Sequence, residues 1–192
     1  KFVAGESFIV NAEDSNVKLS TAVYGNVLNS TGSVIPLIWD AIKKDYSLTL
    51  YSEEMTRFMM TLDNAVELVL YAFKNGKQGE MFVQKSPAAT VSVLAQALLE
   101  LYDSKSSIQE IGIRHGEKKY ETLVTSEEML KAVDLGNYYS IASDNRDLNY
   151  DKYFSKGAKI LSKTDIYSSN SNKLLKEKQI INLIKSNSLI KK

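Results

Sequence analysis

Strand-like and helix-like segments alternate along this chain, and this alternation constrains its fold more than any other feature. Val17 to Tyr24 shows the β-branched, alternating pattern of a strand. After it, Ser33 can cap a helix, Pro36 fits the first turn, and apolar residues recur at helical spacing to about Lys43. Strands that alternate with helices predict an α/β fold.

A second helix is predicted to begin after Thr61, which can cap it, and to end at Asn75-Gly76. Its apolar residues form one broad face: Leu62, Ala65, Val66, Val69, Leu70 and Phe73. Because a wide apolar face normally packs against other elements, we expect this helix to be largely buried.

The remaining elements follow the same signals. Glu80–Gln84 is predicted to be a strand, and the apolar spacing from Val91 to Leu101 predicts a helix. A Thr-x-x-Glu capping box at Thr125–Glu128 predicts a helix that continues to about Ala132. A last helix is expected near Lys173–Lys185.

Composition limits the classes of partner. The net charge of +1, from 24 basic and 23 acidic residues, carries no basic surplus for nucleic acid. The chain contains no cysteine and one histidine, so we expect neither disulfides nor a zinc cluster, and a reducing cytoplasm fits this usage. No apolar run approaches the roughly 20 residues that span a bilayer. The lysine-rich end fits either a membrane-surface helix or, more commonly, a solvated helix face.

One candidate binding loop runs from Tyr24 to Pro36. It joins the first strand to the first helix and contains Asn26 and the Gly32-Ser33-Val34 turn. Backbone N–H groups at a helix N-terminus favour anionic ligands. By its spacing alone, the segment is also typical of a plain strand-to-helix connection.

Two further stretches contain candidate binding residues. Arg57 precedes Phe58-Met59-Met60, so its charge must reach solvent or face a partner. Arg114-His115-Gly116-Glu117-Lys118 follows the strand-like Ile108–Ile113 and, as a bare pattern, is typical of a solvated charged turn. His115 alone is no evidence for acid–base catalysis.

Together these motifs resemble the C-terminal part of the capsule-type UDP-N-acetylglucosamine 4,6-dehydratases. These are extended short-chain dehydrogenases/reductases with a Rossmann-like NAD(P)-binding fold, also described as polysaccharide biosynthesis proteins or UDP-glucose 4-epimerases. The resemblance runs from about Val17 to about Leu175. It implies that the loop residues Asn26, Ser33 and Val34 meet the substrate.

The same resemblance implies roles for the charged residues. Arg57 and Arg114 would contact the diphosphate, and Glu117 would bind the nucleotide ribose hydroxyls. An arginine fork suits phosphate, and a carboxylate accepts two hydrogen bonds without needing a proton. In the family reaction, nicotinamide takes hydride from C4 of the sugar, water leaves across C5 and C6, and hydride returns to C6.

The sequence contains no Gly-x-Gly-x-x-Gly run for a dinucleotide. Met81 and Lys85 have the family's Met-x-x-x-Lys spacing, but in a strand they would lie about 13 Å apart instead of one helical turn. We therefore predict no catalytic, cofactor-binding or metal-binding residue in this chain. The first residue is Lys1 and no signal pattern follows it, so we expect the chain to begin inside a longer protein.

Four positions depart from the family pattern. Val23 and Thr31 stand where arginines are usual, Asn170 where a histidine is usual, and Leu174 where an arginine is usual. Asp144–Asp151 matches the family, lacks the glycine and terminal glutamate of an EF-hand, and is interpreted as a structural or oligomer-contact segment.

The resemblance predicts three parts: residues 1–32 from the cofactor-binding sheet, 33–155 as the nucleotide-sugar-binding domain, and 156–192 as a C-terminal extension. NAD(P) and a UDP-sugar are expected partners of the complete enzyme, which is expected to be a homo-oligomer. No cofactor is expected to bind this chain alone. Two alternatives to a dehydratase stay open: a 4-epimerase, which would use the same binding residues, and a truncated non-catalytic remnant.

Overall fold

The computed structural model of the 192-residue chain describes residues 17–142 and 166–187. The strands are β1 (Ser20–Val23), β2 (Leu48–Leu50), β3 (Thr56–Phe58), β4 (Glu80–Gln84), β5 (Ala88–Thr90), β6 (Ile108–Glu110), β7 (Thr122–Val124), β8 (Ala132–Asp134), β9 (Tyr138–Ile141) and β10 (Tyr167–Ser168). The helices are α1 (Val34–Lys43), α2 (Leu62–Asn75), α3 (Val91–Leu101), α4 (Ser126–Met129) and α5 (Glu177–Ser186). The Asp144–Asp151 segment lies outside the described residues.

The predicted alternation of strands and helices is confirmed, and the predicted bounds of α1, α2, β4 and α3 agree with the structure. The capping box at Thr125 and Glu128 forms as predicted. The predicted continuation of this helix to Ala132 is wrong, because α4 ends at Met129 and Ala132 begins β8, where it pairs with Ile141 of β9. The last helix begins at Glu177, four residues later than predicted.

A four-stranded sheet with the order β1-β4-β9-β8 forms one half of the fold. β1 and β4 are parallel, with Ser20 opposite Glu80 and Val23 opposite Val83. α2 lies between them in the sequence and packs on both strands, as a crossover helix does. β9 continues the sheet antiparallel to β4 on the side away from β1.

Helix α2 corrects one prediction, because it is not largely buried. Its buried residues are Ala65, Leu68 and Ala72, and of these Leu68 and Ala72 pack in one cluster with Phe82 of β4. The rest of its apolar face is exposed, and the Phe73 side chain is 88% exposed. The two strands beneath α2 contact only one flank of the helix, so the apolar pattern extends beyond what the described residues cover.

The main core lies between α1, α3, α5 and strand β2. Ile180, Ile181 and Ile184 of α5 are buried in this core with Leu94 and Leu98 of α3. β10 also pairs antiparallel with β7. The described C-terminal residues 166–187 therefore pack with the middle of the chain in two places: α5 lies in the main core, and Tyr167 of β10 packs in a second cluster with Val124 of β7.

Within residues 17–142 and 166–187, the structure contains no helix that is both long enough and apolar enough to cross a membrane.

Truncation of a buried α5 residue tests whether this helix belongs to the core. Ile184→Ala removes a side chain that is 2% exposed, so we expect the free energy of unfolding to fall by about 2–5 kcal/mol. Asn182→Ala, at an exposed position of the same helix, should change it by no more than about 0.5 kcal/mol. Urea denaturation followed by circular dichroism measures both values, and equal stabilities would contradict the role of α5 in the core.

Candidate nucleotide-sugar site

Arg57 and Glu117 form an ion pair at the centre of the candidate site. Nη2 of Arg57 donates to Oε1 of Glu117 at 2.8 Å, and Nε lies 4.0 Å from Oε1 of Glu121. Nη1 donates to the backbone oxygen of Thr56 at 2.8 Å. The Arg57 side chain is only 12% exposed, so its charge is held in a partly desolvated position by fixed acceptors.

Strand β3 positions Arg57 by the alternation of its side chains. Thr56 and Phe58 are buried, whereas Arg57 points to the other face of the strand and is half-buried. β3 pairs antiparallel with β5, so that Arg57 lies opposite Ala89. This pairing holds the backbone at Arg57 in place.

The stretch from Arg114 to Lys119 is a turn that lies against the start of β3. The N–H of Glu117 donates to the oxygen of Arg114 at 3.0 Å, and Gly116 adopts a φ of 83°, where a side chain would be strained. The N–H of Thr56 donates to the oxygen of Lys119 at 3.0 Å. Lys119 also pairs with Glu54, and this hydrogen bond and charge hold the pKa of the Glu54 carboxyl below its ordinary value.

Arg114 stacks on an aromatic ring that sequence reasoning did not find. Its guanidinium carbon lies 5.0 Å from the centre of the Tyr51 ring. Tyr51 directly follows β2, which pairs parallel with β6, and the N–H of Ile111 extends this pairing to the oxygen of Leu50 at 2.8 Å. Only the pairing of β2 with β6 places Tyr51 beside Arg114, and no local motif marks it.

The candidate loop 24–36 lies beside the end of β3. The oxygen of Asn26 accepts from the N–H of Met60 at 3.3 Å, and the N–H of Leu28 donates to the oxygen of Met60 at 2.8 Å. A Cβ atom at Gly25 would lie 2.6 Å from Cβ of Phe58, so only glycine permits this close approach. The structure thus joins Asn26 to the segment that carries Arg57.

Ser33 occupies the N-cap position of α1, as predicted, but its side chain makes no capping hydrogen bond. Its Oγ atom is buried and has no hydrogen-bond partner among the described residues. Val34 begins the helix. Within the described part of the chain, neither residue makes a polar contact with the Arg57–Glu117 pair, so the structure connects them to the site only through the loop.

Ser169 is a second residue that sequence reasoning missed. It is fully buried, and its Oγ lies 2.7 Å from Oγ1 of Thr56 and accepts from the N–H of Glu121 at 3.0 Å. The N–H of Ser169 donates to the oxygen of Glu121 at 2.8 Å. The C-terminal segment therefore holds both β3 and the strand region after the Arg114 turn. Asn170, one of the departures from the family pattern, is exposed beside it.

A cavity of about 580 Å³ is lined by tyrosines and C-terminal polar residues, among them the chain neighbours of Glu121 and Ser169: Tyr120, Tyr139, Tyr167, Ser168, Asn170 and Asn172. None of the six predicted site residues lines it. Its wall includes Ile166, next to residues that are outside the described part, so we assign no ligand to it.

Within residues 17–142 and 166–187, the residues present do not fit a dinucleotide. A pyrophosphate needs a glycine-rich turn that leaves the backbone open at a helix N-terminus. In the loop from β1 to α1, Gly25 packs tightly against Phe58, and Gly32 is a single open glycine before α1 without the other two glycines of such a turn. The connection from β3 to α2 contains no glycine.

The family is decided by matches that cover nearly the whole chain. A model of the polysaccharide biosynthesis protein family matches residues 2–143, and a model of the C-terminal part of such proteins matches residues 144–191. The chain belongs to the polysaccharide biosynthesis protein family. A UDP-glucose 4-epimerase from Rickettsia felis is 54% identical over 161 residues, which are 84% of this chain and 47% of that protein.

Solved structures confirm the fold class. Pen from Bacillus thuringiensis is 30% identical, with a TM-score of 0.83 over all of this chain and 57% of that one. The dTDP-glucose 4,6-dehydratase DesIV from Streptomyces venezuelae, solved with NAD and TYD, shares the fold at 16% identity, with a TM-score of 0.54 over 60% of this chain and 38% of its own. This family member therefore has an α/β fold that corresponds to the C-terminal portion of an extended short-chain dehydrogenase. It spans about half the length of the curated relatives that it matches.

Removal of the Ser169 hydroxyl tests its structural role at the site. Ser169→Ala leaves the Thr56 hydroxyl and the Glu121 N–H without this partner in a buried position, so we expect a loss of about 1–3 kcal/mol in the free energy of unfolding. Ser107→Ala removes an exposed hydroxyl pair with Ser47 and should cost less than about 0.5 kcal/mol. Thermal or urea unfolding measures the difference, and equal losses would contradict this account.

Proposed function

We propose that this chain is the UDP-sugar-binding portion of a UDP-N-acetylglucosamine 4,6-dehydratase of surface polysaccharide biosynthesis. The observation that carries the proposal is the arrangement around one turn: Arg57 is ion-paired with Glu117, and Arg114 of the same turn is stacked on Tyr51. In this proposal the two guanidinium groups bind the diphosphate, the carboxylate binds the ribose, and the base stacks on the aromatic ring.

Arg57 is the proposed diphosphate ligand. Its planar fork of donors matches phosphate oxygens, and its partly desolvated position strengthens such contacts. In the structure Glu117 takes one of these donors, whereas the Thr56 oxygen holds another. An incoming diphosphate would displace Glu117 from Nη2, while the Thr56 contact keeps the guanidinium in position.

Glu117, released from Arg57, is the proposed ribose ligand. Its carboxylate can accept hydrogen bonds from both ribose hydroxyls. Because Glu117 and Arg114 belong to one turn, a single backbone arrangement aligns the ribose ligand with the second guanidinium. The ring of Tyr51 offers a flat face on which a base can stack.

The loop from β1 to α1 is proposed to meet the sugar. Ser33 offers a buried hydroxyl that has no partner among the described residues and that a ligand hydroxyl or phosphate oxygen would satisfy. The N–H of Val34 lies at the positive end of α1. The Asn26 backbone is joined to Met60, so the loop and β3 would act on the same ligand.

A 4-epimerase is the second candidate, and the names of the curated relatives favour it. Both reactions need a dinucleotide, which the described residues do not fit, and in either case this chain would bind and orient the UDP-sugar. Mass analysis of the product made by the complete enzyme from UDP-N-acetylglucosamine separates them. A product lighter by one water would support the dehydratase, and a product of unchanged mass whose NMR spectrum shows an inverted C4 would support the epimerase.

Calorimetry with three probes tests the proposed roles of Arg57 and Glu117. Arg57→Gln should weaken binding of UDP and of inorganic pyrophosphate at least about tenfold, because it removes charge-assisted hydrogen bonds, and should leave uridine binding unchanged. Glu117→Gln should weaken uridine and UDP binding, whereas pyrophosphate binding should not fall, because Arg57 is then free of its carboxylate partner.

Lys118→Gln is the matched control, since it removes an exposed charge from the same turn. It should change UDP affinity by less than about threefold once salt is at a physiological level. If Lys118→Gln weakened UDP binding as much as Arg57→Gln, general electrostatic attraction would explain the result and the assigned roles would be wrong.

A further inference from the structure

A buried hydroxyl network joins the C-terminal segment to the backbone beside Arg57. Ser169, which directly follows β10, is fully buried, and Thr56 of β3 is 3% exposed. The Oγ atom of Ser169 lies 2.7 Å from Oγ1 of Thr56 and 3.2 Å from the carbonyl oxygen of Thr56. It also lies 3.0 Å from the backbone nitrogen of Glu121. One hydroxyl group therefore connects β3 with the backbone that follows the charged turn.

The single proton of the Ser169 hydroxyl decides the direction of these hydrogen bonds. A hydroxyl group donates one hydrogen bond and accepts up to two. The N–H of Glu121 can only donate, so it uses one acceptor position of Ser169 Oγ. All three bonds form at once only when the Thr56 hydroxyl donates to Ser169 and the Ser169 hydroxyl donates to the Thr56 carbonyl oxygen. Ser169 then uses its full hydrogen-bonding capacity in a buried position.

The Thr56 carbonyl oxygen is an acceptor that Ser169 shares with Arg57. Nη1 of Arg57 donates to this same oxygen at 2.8 Å. Because a carbonyl oxygen has two lone pairs, it can accept from both groups at once. Ser169 therefore holds the peptide group that fixes one arm of the Arg57 guanidinium.

Ser169 also holds the backbone of a second neighbour of the guanidinium. The N–H of Ser169 donates to the oxygen of Glu121 at 2.8 Å, in addition to the bond from the Glu121 N–H. The Oε1 atom of Glu121 lies 4.0 Å from Nε of Arg57. The Thr56 carbonyl and the Glu121 carboxylate thus both belong to residues that Ser169 binds.

We infer that Ser169 is a positioning residue, which holds the Arg57 guanidinium in place through the Thr56 carbonyl and the Glu121 backbone. The inference builds on the proposed function, in which a diphosphate replaces Glu117 on Nη2 of Arg57. Once Glu117 has left, the Thr56 and Glu121 contacts still orient the guanidinium. A side chain that is already oriented loses less conformational freedom when a ligand binds, so the affinity for a diphosphate is higher.

Ser169→Ala tests the inference with and without a ligand. NMR relaxation of the Arg57 Nε–H group measures the mobility of the guanidinium in the free chain. The chain contains three arginines, and the Arg57 signal is the one that Arg57→Gln removes. We expect Ser169→Ala to raise this mobility. In calorimetry, pyrophosphate binding should weaken about three- to tenfold, whereas uridine binding should not weaken, because in the proposed function uridine makes no contact with Arg57.

Ser168→Ala is the matched control from the same segment. Ser168 is also buried, at 3% exposed, but its hydroxyl bonds with Asn170 and Ser171 of its own segment. This control should leave both the Arg57 mobility and the pyrophosphate affinity unchanged. Circular dichroism of each variant verifies folding. If Ser169→Ala does not fold, Ser169→Cys, which keeps a weaker donor, should raise the Arg57 mobility instead.

Two results would overturn the inference. One is an unchanged Arg57 mobility in the folded Ser169 variant. The other is an equal loss of pyrophosphate and uridine binding, because a general distortion of the site would then explain the effect. If the wild-type chain binds no pyrophosphate while Ser169→Ala still mobilises Arg57, the proposed function fails and the positioning role of Ser169 stands.

Discussion

Strand β3 is the constraint on which the rest of the structure depends. It has three residues, and each has a different task. Thr56 is bound to the buried Ser169, Arg57 is paired with Glu117, and Phe58 packs so closely against Gly25 that no side chain fits there. The C-terminal segment, the charged turn and the candidate loop therefore meet at one short strand. A shift of β3 would displace all three together.

The Arg57–Glu117 pair also explains how a site for an anionic ligand can be stable without one. A partly buried guanidinium without a partner is costly, and Glu117 supplies that partner. In the proposed function, the same carboxylate leaves Arg57 when a diphosphate binds, and the diphosphate replaces Glu117 on Arg57. The net affinity for a UDP-sugar therefore reflects the difference in free energy between these two interactions.

Helix α2 shows where prediction from sequence reaches its limit. Its bounds, its Thr61 cap and its apolar face were all predictable, because they depend on neighbouring residues. The burial of α2 could not be predicted, because an apolar face indicates that other residues cover it but does not identify those residues. The two strands β1 and β4 cover one flank only. The wrong prediction at α2 therefore shows that the burial of a helix depends on which elements lie beside it and not on its own pattern.

The sequence by itself determined the local elements and the residue types of the candidate site. Helical spacing, caps and turns act over a few residues, so α1, α3 and the Thr125 box could be predicted from them. Only the tertiary structure decided which of these residues meet. Arg57 and Glu117 are 60 residues apart in the chain, and Thr56 and Ser169 are 113 apart. Contacts at such separations depend on strand pairing and core packing, which no local pattern encodes.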